Sequence, residues 1–113
     1  MSDIIIKLSC RGELMYIEEI SSEGSLQLNV EGKIDSVSSK DFQDTVLKSF
    51  QKSSNIIVNM EGVPYISSAA LRALTLGQKT AESRGGRMTV INVQPAVMDV
   101  FRTTGFDKLL TIG

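Results

Sequence analysis

Three features of the sequence predict an α/β fold, one domain with a mixed sheet and helices packed on it. The chain has 113 residues, the length of one ordinary domain, and 42% of them are apolar, enough for a packed core. Its apolar periodicity switches between two and nearly four, in the order ββ-α-β-α-β-α-β. A strand–helix–strand unit runs from Asn55 to Val93, and its crossover makes the two strands parallel, neighbouring directly or with a strand between.

Each element has its own signal. Ile4–Leu8 reads as a further short strand or an ordered arm. The runs Glu13–Ile20 and Ser25–Glu31 flank a Ser21-Ser22-Glu23-Gly24 turn and predict an antiparallel hairpin. In the second run Leu26, Leu28 and Val30 alternate with Gln27, Asn29 and Glu31, the pattern of a strand with one buried face. From Ser38 to about Ser53 the apolar residues Phe42, Val46, Leu47 and Phe50 form one face of a helix. Ser38 or Ser39 is expected to cap it, with Asp41 and Asp44 suiting its positive end.

The β-branched run Asn55–Met60 predicts a strand covered on both faces. After the loop Glu61–Ile66, Ser67-Ser68 opens a second helix that continues to about Ser83. Leu71, Leu74, Gln78 and Ala81 share one face of it, and the small residues Ala70, Ala73 and Gly77 let it sit close to a sheet. Arg84-Gly85-Gly86 stops it, with a glycine free for a left-handed cap. Met88–Val93 is the next strand. Pro95 suits the first turn of a short helix bearing Val97, Val100 and Phe101, which Gly105 ends. Lys108–Ile112 is expected to be a final short strand. Residues 1–113 thus read as a single domain, with residues 1–12 as an N-terminal arm or extra strand.

Composition excludes several function classes. Twelve basic and 13 acidic residues leave a net charge of −1, which argues against binding nucleic acid or membrane through a basic surface. The chain has no His, so it holds no Ser-His-Asp triad, Cys-His dyad or Cys/His zinc site of its own. Cys10 is the only cysteine, so no disulfide forms within the chain, and a reducing compartment is expected. The longest apolar run, Ile4-Ile5-Ile6, is far short of the roughly 20 residues of a membrane-spanning helix. The N-terminus lacks the pattern of a signal peptide, and a cytoplasmic location is expected.

Most candidate chemistry dissolves on inspection. Gly85-Gly86 follows a helix and matches no phosphate loop. Glu18 and Glu19 point to opposite faces of a strand. Arg72, Lys79, Arg84 and Arg87 lack interleaved aromatics and read as a solvated face. The methionines are scattered and read as core filling. The loop Tyr65–Leu71 differs, because it delivers two hydroxyls to a helix N-terminus at the C-terminal end of a strand, where open α/β sheets meet ligands and partners. One of the two serines is a natural helix cap. With no His to take its proton, neither is activated locally as a nucleophile. Either suits phosphorylation by another enzyme: the helix end tolerates the added charge, while a partner fitted to the neutral surface is repelled.

The segment Gly62-Val63-Pro64-Tyr65-Ile66-Ser67-Ser68-Ala69-Ala70-Leu71-Arg72 resembles the signature of STAS domains, the anti-sigma factor antagonists of bacteria. Gly32-Lys33-Ile34-Asp35 resembles the family's Gly-x-x-Asp, Gly85-Gly86-Arg87-Met88-Thr89-Val90 its Gly-Gly before a strand, and Pro95–Phe106 its last long helix and glycine stop. The resemblance runs from about Glu13 to Ile112. It implies a mixed sheet of four or five strands with helices packed mainly on one side.

The resemblance also implies a function without catalysis, cofactor or metal. Such an antagonist binds an anti-sigma factor that is also a serine kinase of the histidine-kinase-like ATPase type, and so frees the sigma factor. Phosphorylation at the start of the second main helix ends the interaction, and a PP2C-type phosphatase resets it. An ungapped match places the acceptor on Ser68, with Ser67 as the alternative, because Ser67 stands where the family has Asp and Ala70 where it has Gly. Asp35, Tyr65, Ser67, Ser68, Ala69 and Arg72 form the implied partner surface, while Ile66 and Leu71 are expected to pack beneath it. Two further readings stand beside this one. The first is an unphosphorylated STAS adaptor in a signalling assembly or lipid-transport ATPase complex. The second is an enzyme or small-ligand binder that holds an anion at the same helix N-terminus.

Overall fold

The computed structural model describes residues 5–9, 15–22 and 24–113. Five strands form one sheet in chain order: β1 Ile5–Ser9, β2 Met15–Ser22, β3 Ser25–Gly32, β4 Asn55–Gly62 and β5 Arg87–Ile91. The pairs β1–β2 and β2–β3 are antiparallel; β3–β4 and β4–β5 are parallel and directly adjacent. Helix α1 (Ser38–Ser49) crosses from β3 to β4, α2 (Ser68–Ser83) from β4 to β5, and α3 (Pro95–Thr104) follows β5. Ile4 of the expected arm, Cys10, Glu13-Leu14 at the expected strand start and Glu23 of the turn lie outside the described residues.

Alternation decides which face the helices cover. Leu26, Leu28 and Val30 on β3, Ile56, Val58 and Met60 on β4, and Met88 and Val90 on β5 are all buried. They meet Phe42 and Val46 of α1, Ala70, Ala73 and Leu74 of α2, and Val97 and Phe101 of α3 in one core. Each fully buried large apolar side chain contributes about 1.5–3 kcal/mol. Gly77 works as its size suggests. A Cβ there would lie 2.9 Å from both Met88 Sδ and Val46 Cγ1, so only glycine lets α2 close onto β5 and α1 together. The glycine pair after α2 has two separate duties. Gly85 takes the left-handed conformation (φ 72°), and a Cβ on Gly86 would lie 2.1 Å from the Ser54 carbonyl oxygen.

Glu18 and Glu19 do separate across β2. Glu19 is buried on the helix side and its carboxylate meets Lys52 Nζ at 2.8 Å, whereas Glu18 accepts from Asn29 Nδ2 on the other side. Pro95 opens α3 and Gly105 ends it in the left-handed conformation, as expected.

Three expectations change. β4 is covered on one face only: Ile57 and Asn59 remain half-exposed, and Asn59 Nδ2 donates to Asn29 Oδ1 across the open face. Helix α1 ends at Ser49 rather than Ser53, because the chain must turn to start β4; Gln51 N and Lys52 N bond three residues back, to Lys48 O and Ser49 O. Lys108–Ile112 is not a strand. A 3-10 turn over Phe106–Lys108 brings Leu110 into the core, and only the last residues reach β5, through Val90 N to Thr111 O and Gly113 N to Val90 O. No helix among the described residues is long and apolar enough to cross a membrane.

Candidate functional site

The parallel pair β3–β4 delivers two loops to the same edge of the sheet, each leading into a helix. Backbone hydrogen bonds tie them together. Ile34 N donates to Tyr65 O at 3.1 Å, and Ser67 N donates to Ile34 O at 2.8 Å, a short parallel bridge between Ile34 and Ile66. Asp35 and Ser67, 32 positions apart in sequence, each directly follow a member of this bridge. Ile66 and Leu71 are buried beneath, the packing role the sequence suggested.

The first loop is organised by Asp35. One of its carboxylate oxygens, Oδ1, accepts from the Val37 amide at 3.0 Å and the Ser38 amide at 2.9 Å. The Ser38 hydroxyl lies 3.1 Å from the same oxygen and 3.0 Å from Lys33 O, and it accepts from the Asp35 amide. The Ser38 amide first, and then the Ser38 hydroxyl, hold the Asp35 carboxyl below the usual carboxylate range. This corrects the expectation that Ser38 or Ser39 caps α1. The capping position is Val37, which makes no side-chain cap bond, and Asp35 reaches in from two residues earlier to satisfy the free amides.

The second loop is capped as its sequence suggests. Ser67 is extended (φ −97°, ψ 172°), and its Oγ accepts from Ala70 N at 3.3 Å. Leu71 N returns to Ser67 O, closing the first turn. Ser68 is the first helical residue; it is exposed, and none of the hydrogen bonds among the described residues uses its hydroxyl. The Ser68 and Ala69 amides belong to the first turn, where no intrahelical acceptor exists. The two serines are therefore not equivalent: one hydroxyl holds the helix and the other faces outward.

Of the predicted partner residues, Asp35, Tyr65, Ser67 and Ser68 gather on the two tied loops, with Tyr65 51% exposed. Ala69 and Arg72 continue along α2, half-buried and exposed respectively. Sequence reasoning missed Val37, which is 65% exposed at the head of α1 and adds an apolar neighbour to this edge. It also left Lys40 unremarked, because only the packing of α1 against α2 brings Lys40 near Arg72. The spacing of Ser68, Arg72, Leu76 and Lys79, nearly one turn apart, was a signal available in the sequence.

The family model for the STAS domain matches residues 16–113. The fold is similar to that of an anti-sigma factor antagonist from Mycobacterium paratuberculosis, at 19% identity and a TM-score of 0.78, over 93% of this chain and 89% of that one. It is similar also to the anti-sigma factor antagonist SpoIIAA in its unphosphorylated form, at 14% identity and a TM-score of 0.67, over 86% of both chains. The phosphorylated form of the Bacillus cell fate determinant SpoIIAA matches at 15% identity and a TM-score of 0.67, over 86% of this chain and 90% of that one. The match of the family model over most of its length places this chain in the STAS domain family.

Proposed function

We propose that this domain is an anti-sigma factor antagonist that acts in the bacterial cytoplasm as a phosphorylation-switched binding module. Its unphosphorylated edge, with Asp35, Tyr65, Ser67, Ser68, Ala69 and Arg72, docks on an anti-sigma factor that is also a serine kinase, and a sigma factor is released. The kinase transfers the terminal phosphoryl group of ATP to Ser68 Oγ, with ADP leaving and the hydroxyl proton passing to the kinase. A PP2C-type phosphatase reverses the step. The observation that carries this reading is the division of labour between the serines: Ser67 Oγ accepts from Ala70 N, and Ser68 stands exposed beside it. A phosphate on Ser68 adds about −1.5 to −2 charge at a helix N-terminus that favours anions, so the fold survives while the surface becomes anionic.

Intact mass and peptide mapping of the protein from its native cells, across growth conditions, tests this directly. A phosphate on Ser68 that changes with condition supports the switch. A phosphate on Ser67 moves the acceptor by one residue and predicts a weakened helix start. A second reading, a constitutive STAS adaptor, draws on Ser67 occupying the family's Asp position. Absence of phosphate in every condition, together with a stable complex, favours it.

A further inference from the structure

Beside Ser68 a groove of about 550 Å³ runs between α1 and α2. Ala69, Leu76 and Phe106 supply its apolar lining, and Lys40, Arg72 and Lys79 its charge. No acidic side chain lines it, and none of the three cations takes part in an ion pair among the described residues. In a chain of net charge −1 this is a local excess of positive charge beside exposed apolar surface. Leu76, 39% exposed, sits between Arg72 and Lys79 on one stripe of α2. Arg84 and Arg87, which sequence reading grouped with Arg72 and Lys79, do not line the groove, whereas Lys40 from the other helix does.

A trough between two helices that is lined by both apolar and cationic side chains fits an amphipathic helix with apolar side chains at one-turn spacing and carboxylates beside them. We propose that the α1–α2 groove docks an acidic amphipathic helix of a protein partner, and that phosphate on Ser68 withdraws Arg72 from it. Ser68 and Arg72 stand four residues apart on α2, with the acid to be formed on the N-terminal side, the favourable order for a helical pair. A phosphate there competes with the partner's carboxylates for Arg72 and faces the remaining ones with like charge. The groove itself does not depend on Ser68 being the acceptor; only the withdrawal step rests on the function proposed above.

The probe is a designed 18-residue helix with leucines on one face and glutamates flanking them. Its control carries lysines in place of the glutamates. In a titration of isotope-labelled, unphosphorylated domain followed by NMR, the acidic peptide shifts the amides of Lys40, Ala69, Arg72, Leu76 and Lys79, and the lysine peptide does not. R72Q with K79Q weakens acidic-peptide binding about tenfold, the sum of two exposed charge pairs. R84Q with R87Q, an equal loss of charge away from the groove, leaves it unchanged. S68D weakens binding several-fold in the wild-type background and distinctly less in R72Q, where only like-charge repulsion of the peptide is left. No binding, equal binding of both peptides, or equal losses in the two double variants overturns the groove. Saturation of the same residues by phosphatidylglycerol vesicles in place of the peptide overturns it too, in favour of a membrane. An undiminished effect of S68D in R72Q overturns the withdrawal step alone. Peptide mapping of Ser68 reports separately on the phosphorylation reading.

Discussion

Helices α1 and α2 both begin on a Ser-Ser pair just beyond a strand of the parallel β3–β4 unit, yet the two pairs have opposite fates. Ser38 and Ser39 are 3% and 5% exposed; the hydroxyl of Ser38 is bound to the Asp35 loop and that of Ser39 donates to Ser36 O at 3.2 Å. Ser67 and Ser68 are half-buried and exposed, with only the first committed to a cap. The difference lies in where the cap comes from. In α1 the acceptor is Asp35, three residues before the first helical residue, and both serines that follow are buried. In α2 the serine at the capping position does the work itself, which leaves the next hydroxyl in solvent. A structural helix start and an addressable one differ by the placement of one acceptor.

The comparison breaks most sharply when one charge is placed at the same position of each helix. Ser38→Asp puts a carboxylate in a buried site beside Asp35 and should cost about 3 kcal/mol or more, or abolish folding. Ser68→Asp places it at an exposed helix start and should leave the thermal midpoint nearly unchanged, while weakening partner binding. Equal midpoints for the two variants would remove the distinction between the helix starts.

Alanine sharpens the same contrast. Ser38→Ala strands the Asp35 amide and the Lys33 carbonyl and should cost about 2 kcal/mol. Ser67→Ala removes a cap, at about 1 kcal/mol. Ser68→Ala should stay within about 0.5 kcal/mol. Urea unfolding of the three variants reads this order directly, and a Ser68→Ala loss matching that of Ser67→Ala would show both hydroxyls to be structural.

Acid should separate the two starts again. The Asp35 carboxyl is held below its usual range when folded, so its contribution is present above the unfolded value, near pH 4, and is lost as pH falls through the lower folded value. Asp35→Asn should flatten the part of the acid-side decline in urea midpoint that this group causes. Ser67→Ala, which touches no titrating group, should leave the shape of that decline as it is.

A modest effect away from both helix starts concerns the buried Glu19, whose partner Lys52 is largely exposed. Lys52→Gln keeps a donor near the carboxylate, and a loss of about 1 kcal/mol in urea unfolding is expected. This pair lies on the turn after α1 and on β2, away from the tied loops, so binding at the Ser68 edge should not change.

Much of this was legible in the residues. Alternation in Leu26–Val30 named the buried face of β3, the small residues of α2 predicted its close approach, and Pro95 and Gly105 marked both ends of α3. The serine pair at Ser67-Ser68 pointed to the edge that matters, because local chemistry places serines at helix starts. Three things were not legible. The one-sided cover of β4 depends on which faces the helices reach, since a run such as Ile56-Ile57-Val58 is equally apolar toward both. The capping of α1 by Asp35 rather than by either serine depends on how the chain leaves β3, which the bridge from Ile34 to Ile66 sets.

The third was the groove, whose cations come from two helices that only packing brings together. Period and propensity act over a few residues, so the sequence by itself determined the elements as far as Gly105, their order and the position of the exposed-loop serines, but not the 3-10 turn that replaces the expected last strand. Which hydroxyl caps and which faces solvent, and which charges share a surface, were decided by tertiary structure, because those outcomes rest on packing between segments some 30 residues apart, as in the Ile34–Ile66 bridge and the groove that Lys40 and Arg72 both line.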